Sequence, residues 1–384
     1  MGAYLTIFLA SAGTTFVATP IVRRLVVRIG AISQPNDRTV HAVPTPTMGG
    51  LAMYAGFLAG MGIAFVLPFF DDLHRGSPIP LAAVATCTLM VGLGLIDDRR
   101  GTSALAKFTA QVFIAGVLVL MGAALAFFWI PGSRVVVLDP DIAVPLTILW
   151  VVAVTNAVNL VDGLDGLAAG MIAIAAASFF VYTIRTPSTF GDASAAALLS
   201  AIAVGMCLGF LPWNFHPAKI FMGDSGALLL GMLLSIATID GVGLNPLPPS
   251  GGDIAAIAGV LVVPLLVLFI PFLDVVLAIV RRTWRGQGIG HADKEHIHHR
   301  LMDIGHSHLR AVLLMYLWSA LISASALAVG LIDGRATVGL ILLVALALFL
   351  VTALPALDRW RHRGDGSSEA RAIPPAPSSS EPSG

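Results

Sequence analysis

The chain has 384 residues, 57% of them hydrophobic and 11% charged, with a mean hydropathy of +0.89 and a formal net charge of zero. Those values exclude a soluble globular protein and describe a chain built for lipid. No nucleic-acid partner is expected, and Cys87 and Cys207 both fall in apolar segments, so no disulfide framework is expected either.

A membrane span takes about 20 apolar residues. Windows of that size place spans near 3–22, 48–68, 80–96, 105–128, 146–160, 167–184, 194–212, 225–240, 254–280, 310–332 and 337–356, several of them short. The expected fold is therefore an all-α polytopic integral membrane protein of about eleven transmembrane helices. With the amino terminus outside, 18 of the 22 Lys and Arg residues fall in inner segments, and only Arg75, Arg134, Arg185 and Arg335 fall outside. The positive-inside rule favours that orientation, which puts the carboxyl terminus inside. Met1-Gly2 through Thr6 matches an acylation pattern, but an outward terminus leading straight into a span makes the match accidental. The first segment lacks a basic leader and a cleavage site and reads as a retained span. Residues 1–357 are expected to form one transmembrane catalytic domain with cytoplasmic loops 23–47, 97–104, 160–166, 213–224 and 281–310. Residues 358–384, rich in Ser, Pro, Gly and Glu, read as a disordered tail.

The first inner loop ends in P-T-P-T-M-G-G, where Gly49-Gly50 permits close backbone approach at the start of a span. It is equally a Pro-rich connector or a lid over a substrate. The third span ends in G-L-I-D-D-R-R. Adjacent carboxylates at Asp97-Asp98 repel, so a divalent cation or a phosphate-bearing partner is the usual reason to keep two together, with helix-end capping the plainer reading for one of them. Lys107, at the mouth of the fourth span, can snorkel to headgroups or hold a phosphate as a point charge. In the outer loop, Val135–Leu138 and Ile142–Val144 are expected to pair as a hairpin around Asp139-Pro140-Asp141.

The most informative stretch is T-N-A-V-N-L-V-D-G-L-D-G-L-A-A-G, residues 155–170. Asn156, Asn159, Asp162 and Asp165 recur every third residue, which on a helix traces one slowly drifting polar stripe. Carboxylates at the edge of a span are costly and are functional candidates, whereas Asp-Gly alone is an ordinary turn signal. Further on, F-M-G-D-S-G opens a span with Asp224 between glycines. That is either a helix amino end serving as an anion and metal site or an N-cap supplied by Asp224 or Ser225. Phe221, just upstream, either stacks on a base or packs. Pro264 and Pro271 are expected to bend the ninth span and open a groove toward lipid. The last inner loop carries H-A-D-K-E-H-I-H-H-R-L. Its spacing matches no ordinary zinc motif, and a cationic cluster for phosphate and sugar is the better reading.

All these motifs fall on the inner side. Carboxylates and amides without thiolates favour a hard cation, Mg²⁺ with Mn²⁺ as a substitute, and the added positive charge suits phosphoryl transfer to a lipid. An ion-coupled transporter is the reading from another class, but it needs a site near the midplane reachable from both faces. Nothing in these residues demonstrates a homodimer, though such bundles are compatible with one.

Taken together, G-L-I-D-D, N-A-V-N-L-V-D-G-L-D-G-L-A, F-M-G-D-S-G and H-I-H-H-R-L, in this order, resemble the polyprenyl-phosphate N-acetylhexosamine-1-phosphate transferase superfamily. The resemblance covers the first ten spans, and the A-D-K-E-H-I-H-H-R-L form is similar to the bacterial UDP-GlcNAc branch, which uses undecaprenyl or decaprenyl phosphate. P-T-P-T-M-G-G looks like the branch that transfers phospho-MurNAc-pentapeptide. The resemblance implies a bacterial plasma-membrane enzyme that moves GlcNAc-1-phosphate to a polyprenyl phosphate and releases UMP. It implies that Asp224 and Asn159 contact Mg²⁺ and that Asp97 is the base or orienting group for the lipid phosphate, supported by Asp98. It further implies that Lys107 holds phosphate, that Phe221 and Asp165 border the uridine with Asp162 nearby, and that His296, His298, His299 and Arg300 meet the sugar and diphosphate. Asn156 joins the substrate-binding group. A single in-line displacement is expected, with a covalent phospho-sugar on an aspartate as the competing route.

Overall fold

The computed structural model describes residues 1–33, 44–129, 135–185, 188, 190–244, 307–331 and 346. Its helices are α1 (Gly2–Arg28), α2 (Gly50–Val66), the short α3 (Asp71–Gly76), α4 (Ile79–Arg100), α5 (Ala104–Leu120), α6 (Pro140–Val161), α7 (Leu167–Thr183), α8 (Ala195–Asn214), α9 (Gly223–Thr238) and α10 (His308–Leu331). Two antiparallel ribbons, β1 (Ile32–Ser33) with β2 (Thr45–Pro46) and β3 (Phe127–Trp129) with β4 (Val135–Val137), lie in connections.

Among the described residues, six helical stretches are long and apolar enough to cross a membrane: Gly2–Arg28, Ile79–Arg100, Pro140–Val161, Ala195–Asn214, Gly223–Gly241 and His308–Ser325. At about 1.5 Å per residue, a helix the length of α4 reaches roughly 33 Å, enough for a hydrocarbon core of about 30 Å. The chain is a mostly helical membrane protein. Helices α5 and α7 are apolar but shorter, at 17 residues each. After α2, at the end of the apolar run expected over 48–68, the chain turns by 83° into Pro68–Gly76.

Helix α9 is the axis of the bundle. Every residue from Ser225 to Thr238 is buried, and the helix packs against α2, α4, α6 and α8. A helix that is apolar all round belongs inside. Its first turn is clamped between glycines, as the Gly49-Gly50 pair suggested: a Cβ on Gly50 would overlap the Gly226 nitrogen, and one on Gly94 would overlap the Ser225 backbone. Neither overlap is with a flexible side-chain end, so the approach of α2 and α4 to α9 requires glycine at both places.

Two expectations need correcting. The span read as 105–128 ends at Leu120, and Phe127–Trp129 is a strand. Val135–Val137 pairs with that upstream strand, with Phe127 opposite Val137, and not with 142–144. Residues 142–144 are helical because Asp139 caps α6, its side chain accepting from Asp141 N at 3.0 Å, and Pro140 occupies the first turn, where its missing N–H costs nothing. The ninth and eleventh expected spans, with Pro264 and Pro271, lie outside the described residues, as does the tail.

Candidate active site

One end of the bundle gathers the carboxyl ends of α1, α4, α6 and α8 with the amino ends of α2, α5, α7, α9 and α10, so motifs far apart in sequence meet there. The P-T-P-T-M-G-G stretch docks along F-M-G-D through the backbone. Phe221 N donates to Pro46 O at 2.8 Å, Gly49 N to Phe221 O at 2.9 Å and Gly50 N to Met222 O at 2.9 Å. This holds Phe221 beside the site end of α9.

Asp98 fixes the start of α9. Its two oxygens accept the Asp224 and Ser225 backbone N–H groups at 2.8 and 3.1 Å. The N-cap residue is Met222, without a side-chain cap, so neither Asp224 nor Ser225 caps its own helix. The anion expected at this helix end is a carboxylate of the protein itself, borrowed from α4, and it matches the partial positive charge of the helix terminus. Gly223 serves the same contact: it has φ +71°, and a Cβ there would lie 2.6 Å from Asp98 Oδ1.

With its N–H held by Asp98, Asp224 presents its carboxylate to two other helices. Oδ2 meets Lys107 Nζ of α5 at 2.5 Å, and Oδ1 accepts from Asn159 Nδ2 of α6 at 2.5 Å. Lys107 also contacts Asp97 Oδ2 at 2.8 Å and Asn159 Oδ1 at 3.3 Å. The side chains of Lys107, Asp97 and Asp224 are only 15%, 11% and 28% exposed, so these pairs are little screened by water. The other oxygen of Asp97 accepts both the backbone N–H and the hydroxyl of Thr102, at 2.7 and 2.5 Å. Lys107 therefore does not snorkel; it is the hub joining α4, α5, α6 and α9.

The polar stripe does not run along one helix. Asn156 and Asn159 lie on α6, Asp162 is at its C-cap and Asp165 sits in the turn before α7. Asp162 lies half-buried near the hub, and among the described residues its carboxylate accepts no hydrogen bond. Burial, then the negative charges of Asp224, Asp98 and Asp165, push its carboxyl from the ordinary 3.8 to about 7. Asp165 instead fastens the loop before α9: Oδ2 accepts Ala218 N at 3.1 Å and pairs with His216 Nδ1 at 2.8 Å. Beside it, Gly166 N donates to Asn214 Oδ1 at 3.1 Å and Gly166 O accepts from the Tyr316 hydroxyl. Asn156 turns to α5, donating to Gln111 Oε1 and to Val152 O, each at 2.7 Å.

The donors around Lys107 Nζ are carboxylate and amide oxygens, and a cation already rests among them. That is the hard, oxygen-only set Mg²⁺ takes. Asp165, His216 and His308 also bring possible ligand atoms within 4.8 Å of one another. The two imidazoles, however, stack at 4.3 Å with planes 20° apart, so their in-plane lone pairs run side by side and do not converge.

Thr102, Gln111, His216 and Tyr316 were not singled out in the sequence. A lone amide in an apolar helix, four residues after Lys107, is the signal that marks Gln111; the others carry no signal without the fold. His296, His298, His299 and Arg300 lie outside the described residues.

Comparison with known proteins agrees with this geometry. The glycosyl transferase family 4 pattern matches residues 80–242, which include Asp97, Lys107, Asn159 and Asp224. Decaprenyl-phosphate N-acetylglucosaminephosphotransferase of Mycobacterium tuberculosis (strain ATCC 25618 / H37Rv) is 41% identical over 361 residues, 91% of this chain and 88% of that protein. The chain belongs to the polyprenyl-phosphate N-acetylhexosamine-1-phosphate transferase superfamily. Within the superfamily, a probable undecaprenyl-phosphate N-acetylglucosaminyl 1-phosphate transferase of Bacillus subtilis (strain 168) is 38% identical, with 83% of each chain covered. A phospho-N-acetylmuramoyl-pentapeptide-transferase of Desulforudis audaxviator (strain MP104C) is 34% identical over only 60% of this chain and 75% of that protein.

Proposed function

We propose that this chain transfers GlcNAc-1-phosphate from UDP-GlcNAc to a polyprenyl phosphate, releasing UMP and forming polyprenyl-diphosphate-GlcNAc. The reaction would be the first membrane step of a cell-envelope polysaccharide, at the cytoplasmic face of the bacterial plasma membrane. The observation that carries this reading is the Lys107 hub, where Asp97, Asn159 and Asp224 converge at one end of a membrane bundle. The names of the relatives matched over most of their length support the same chemistry.

In this reading an oxygen of the lipid phosphate attacks the β-phosphorus of UDP-GlcNAc, the bond to UMP breaks in line, and UMP leaves with the electron pair. A phosphate dianion at neutral pH needs little help from a base. Asp97 has both oxygens engaged, by Thr102 and Lys107, so it orients the attacking phosphate and makes a poor nucleophile. The same engagement disfavours a covalent phospho-aspartate at this position. Lys107 supplies positive charge to phosphate, and Asp224 and Asn159 would hold Mg²⁺, whose chemistry there would be to offset negative charge on the diphosphate. Eleven spans with the amino terminus outside complete the topology of the proposal.

The test uses membranes containing the chain, polyprenyl phosphate, Mg²⁺ and UDP-GlcNAc labelled in both the sugar and the β-phosphate. Both labels should enter the lipid with UMP released, and the reaction should stop with EDTA and resume with Mg²⁺. Sugar label alone with UDP released means ordinary glycosyl transfer, and the proposal fails. Transfer only from UDP-MurNAc-pentapeptide replaces the donor with that of the other branch.

A further inference from the structure

We infer that Gln111 is a positioning residue, and that with Asn156 it forms a polar clamp fixing the register of α5 against α6, and hence the placement of Lys107. The two helices touch through two polar rungs. Lys107 reaches Asn159 at 3.3 Å, and Gln111, four residues on, accepts from Asn156 Nδ2 at 2.7 Å. Residues four apart on α5 and three apart on α6 face the same side of their helices, so the rungs lie one turn apart on a single seam. Contacts between apolar side chains resist neither sliding nor rotation with much specificity. A buried amide pair has one satisfying register, and leaving it is costly in an apolar surround.

Two details separate a clamp from a substrate subsite. Both amide hydrogens of Asn156 are spent, one on Gln111 and one on Val152 O, so this side chain has no donor left for a phosphate or sugar. Gln111 is fully buried, and among the described residues its Nε2 has no hydrogen-bond partner. A buried donor without a partner lowers stability and is retained where the group's other end performs a task. Here that end, Oε1, holds Asn156. The inference rests on the proposed reaction only for its kinetic consequence; the placement of Lys107 can be read without turnover.

The experiment compares Gln111→Met, Asn156→Leu and the double variant with the unaltered full-length chain in detergent. Gln111→Met keeps the length of the side chain and removes its unpartnered donor while releasing one Asn156 N–H, so thermal stability should change little. Lys107, protected by two carboxylates in the unaltered chain, should react several-fold faster with acetic anhydride, quantified by mass spectrometry. Displacement of a positioned group by about 1 Å costs on the order of 10²-fold in rate, so kcat should fall about tenfold or more with KM for UDP-GlcNAc within about twofold. The double variant should be no worse than either single one, because both remove one bond. Gln111→Glu, which keeps an acceptor for Asn156, should restore Lys107 protection. Unchanged Lys107 labelling in Gln111→Met would overturn the clamp. So would a rise in KM confined to Asn156→Leu, which would make Asn156 a substrate contact. If the unaltered chain transfers no GlcNAc-1-phosphate, the proposed function fails while the labelling comparison still decides the clamp.

Discussion

Asp224 is held at three points: its backbone N–H by Asp98, one carboxylate oxygen by Lys107 and the other by Asn159. Replacing Asp224 with Ala removes the side-chain contacts but leaves the N–H bond and the apolar flanks of α9. The variant should keep its detergent unfolding midpoint near that of the parent while turnover falls about 10³-fold, the scale for losing a preorganised charged group. Near-parental turnover would remove Asp224 from the reaction. Asp162 predicts a pH effect. Its folded-state carboxyl, near 7, lies above the ordinary 3.8, so between those values the native state holds a proton that the unfolded chain has lost. Stability from this group is complete below about pH 4 and is lost as pH rises toward 7. Unfolding titrations of the metal-free protein should show that decline, and Asp162→Asn should flatten it. The residues of the hub were legible in the sequence because each is a charged or amide group where lipid demands apolar ones. Their partners were not: Asp98 reads as half of a repelling pair, yet its carboxylate ends on backbone N–H groups more than a hundred residues away, which no spacing rule reaches.

Elements were legible where an apolar run is bounded by polar and glycine residues, as for α7, expected over 167–184 and found over Leu167–Thr183. They were lost where an apolar run changes conformation without changing composition. Phe127–Trp129 is as apolar as the helix before it, so its strand, and with it the true partner of Val135–Val137, was absorbed into a span. A recurring device joins the elements: Asp98 caps α9 from α4, and Asp240 accepts Ala196 N at 2.8 Å at the start of α8. At these two helix starts a carboxylate from a neighbouring element takes up free N–H groups, for α8 in addition to its own cap Ser194. The glycine clamp belongs to this scale too. Gly94→Val would drive a branched side chain into the Ser225 backbone, and overpacking of a tight core costs about 1–3 kcal/mol or more. The expected outcome is loss of a monodisperse peak in size-exclusion chromatography, while Gly92→Val, at a position with nothing within 4 Å, should leave it intact.

For the whole molecule, the gathering of Asp97-Asp98, the 156–165 stretch and Asp224 at one end was legible from hydropathy and charge, since alternating spans put these motifs on the same side. The orientation has a direct test. Cys87 and Cys207 are the only cysteines of the sequence and are fully buried, so an introduced cysteine carries the signal alone. A membrane-impermeant maleimide should label Asp192→Cys in intact cells, and Ala104→Cys, at the site end, only after permeabilisation. The reverse pattern would invert the bundle.

Lys107 gives the assembled site an inbuilt counter-ion. Among Asp97, Asp224 and Lys107 the formal sum is one negative charge, so the resting bundle holds two carboxylates close together without a dissolved ion. A divalent cation settling among the same oxygens must release the ammonium, and the released ammonium is then free to meet an arriving phosphate. On the proposed function, cation and phosphate affinity would thereby be linked, each raising the other by the same factor. Divalent cations would then be held weakly in the absence of substrate, and the electrostatics of the site would be completed only when the reactants are in place.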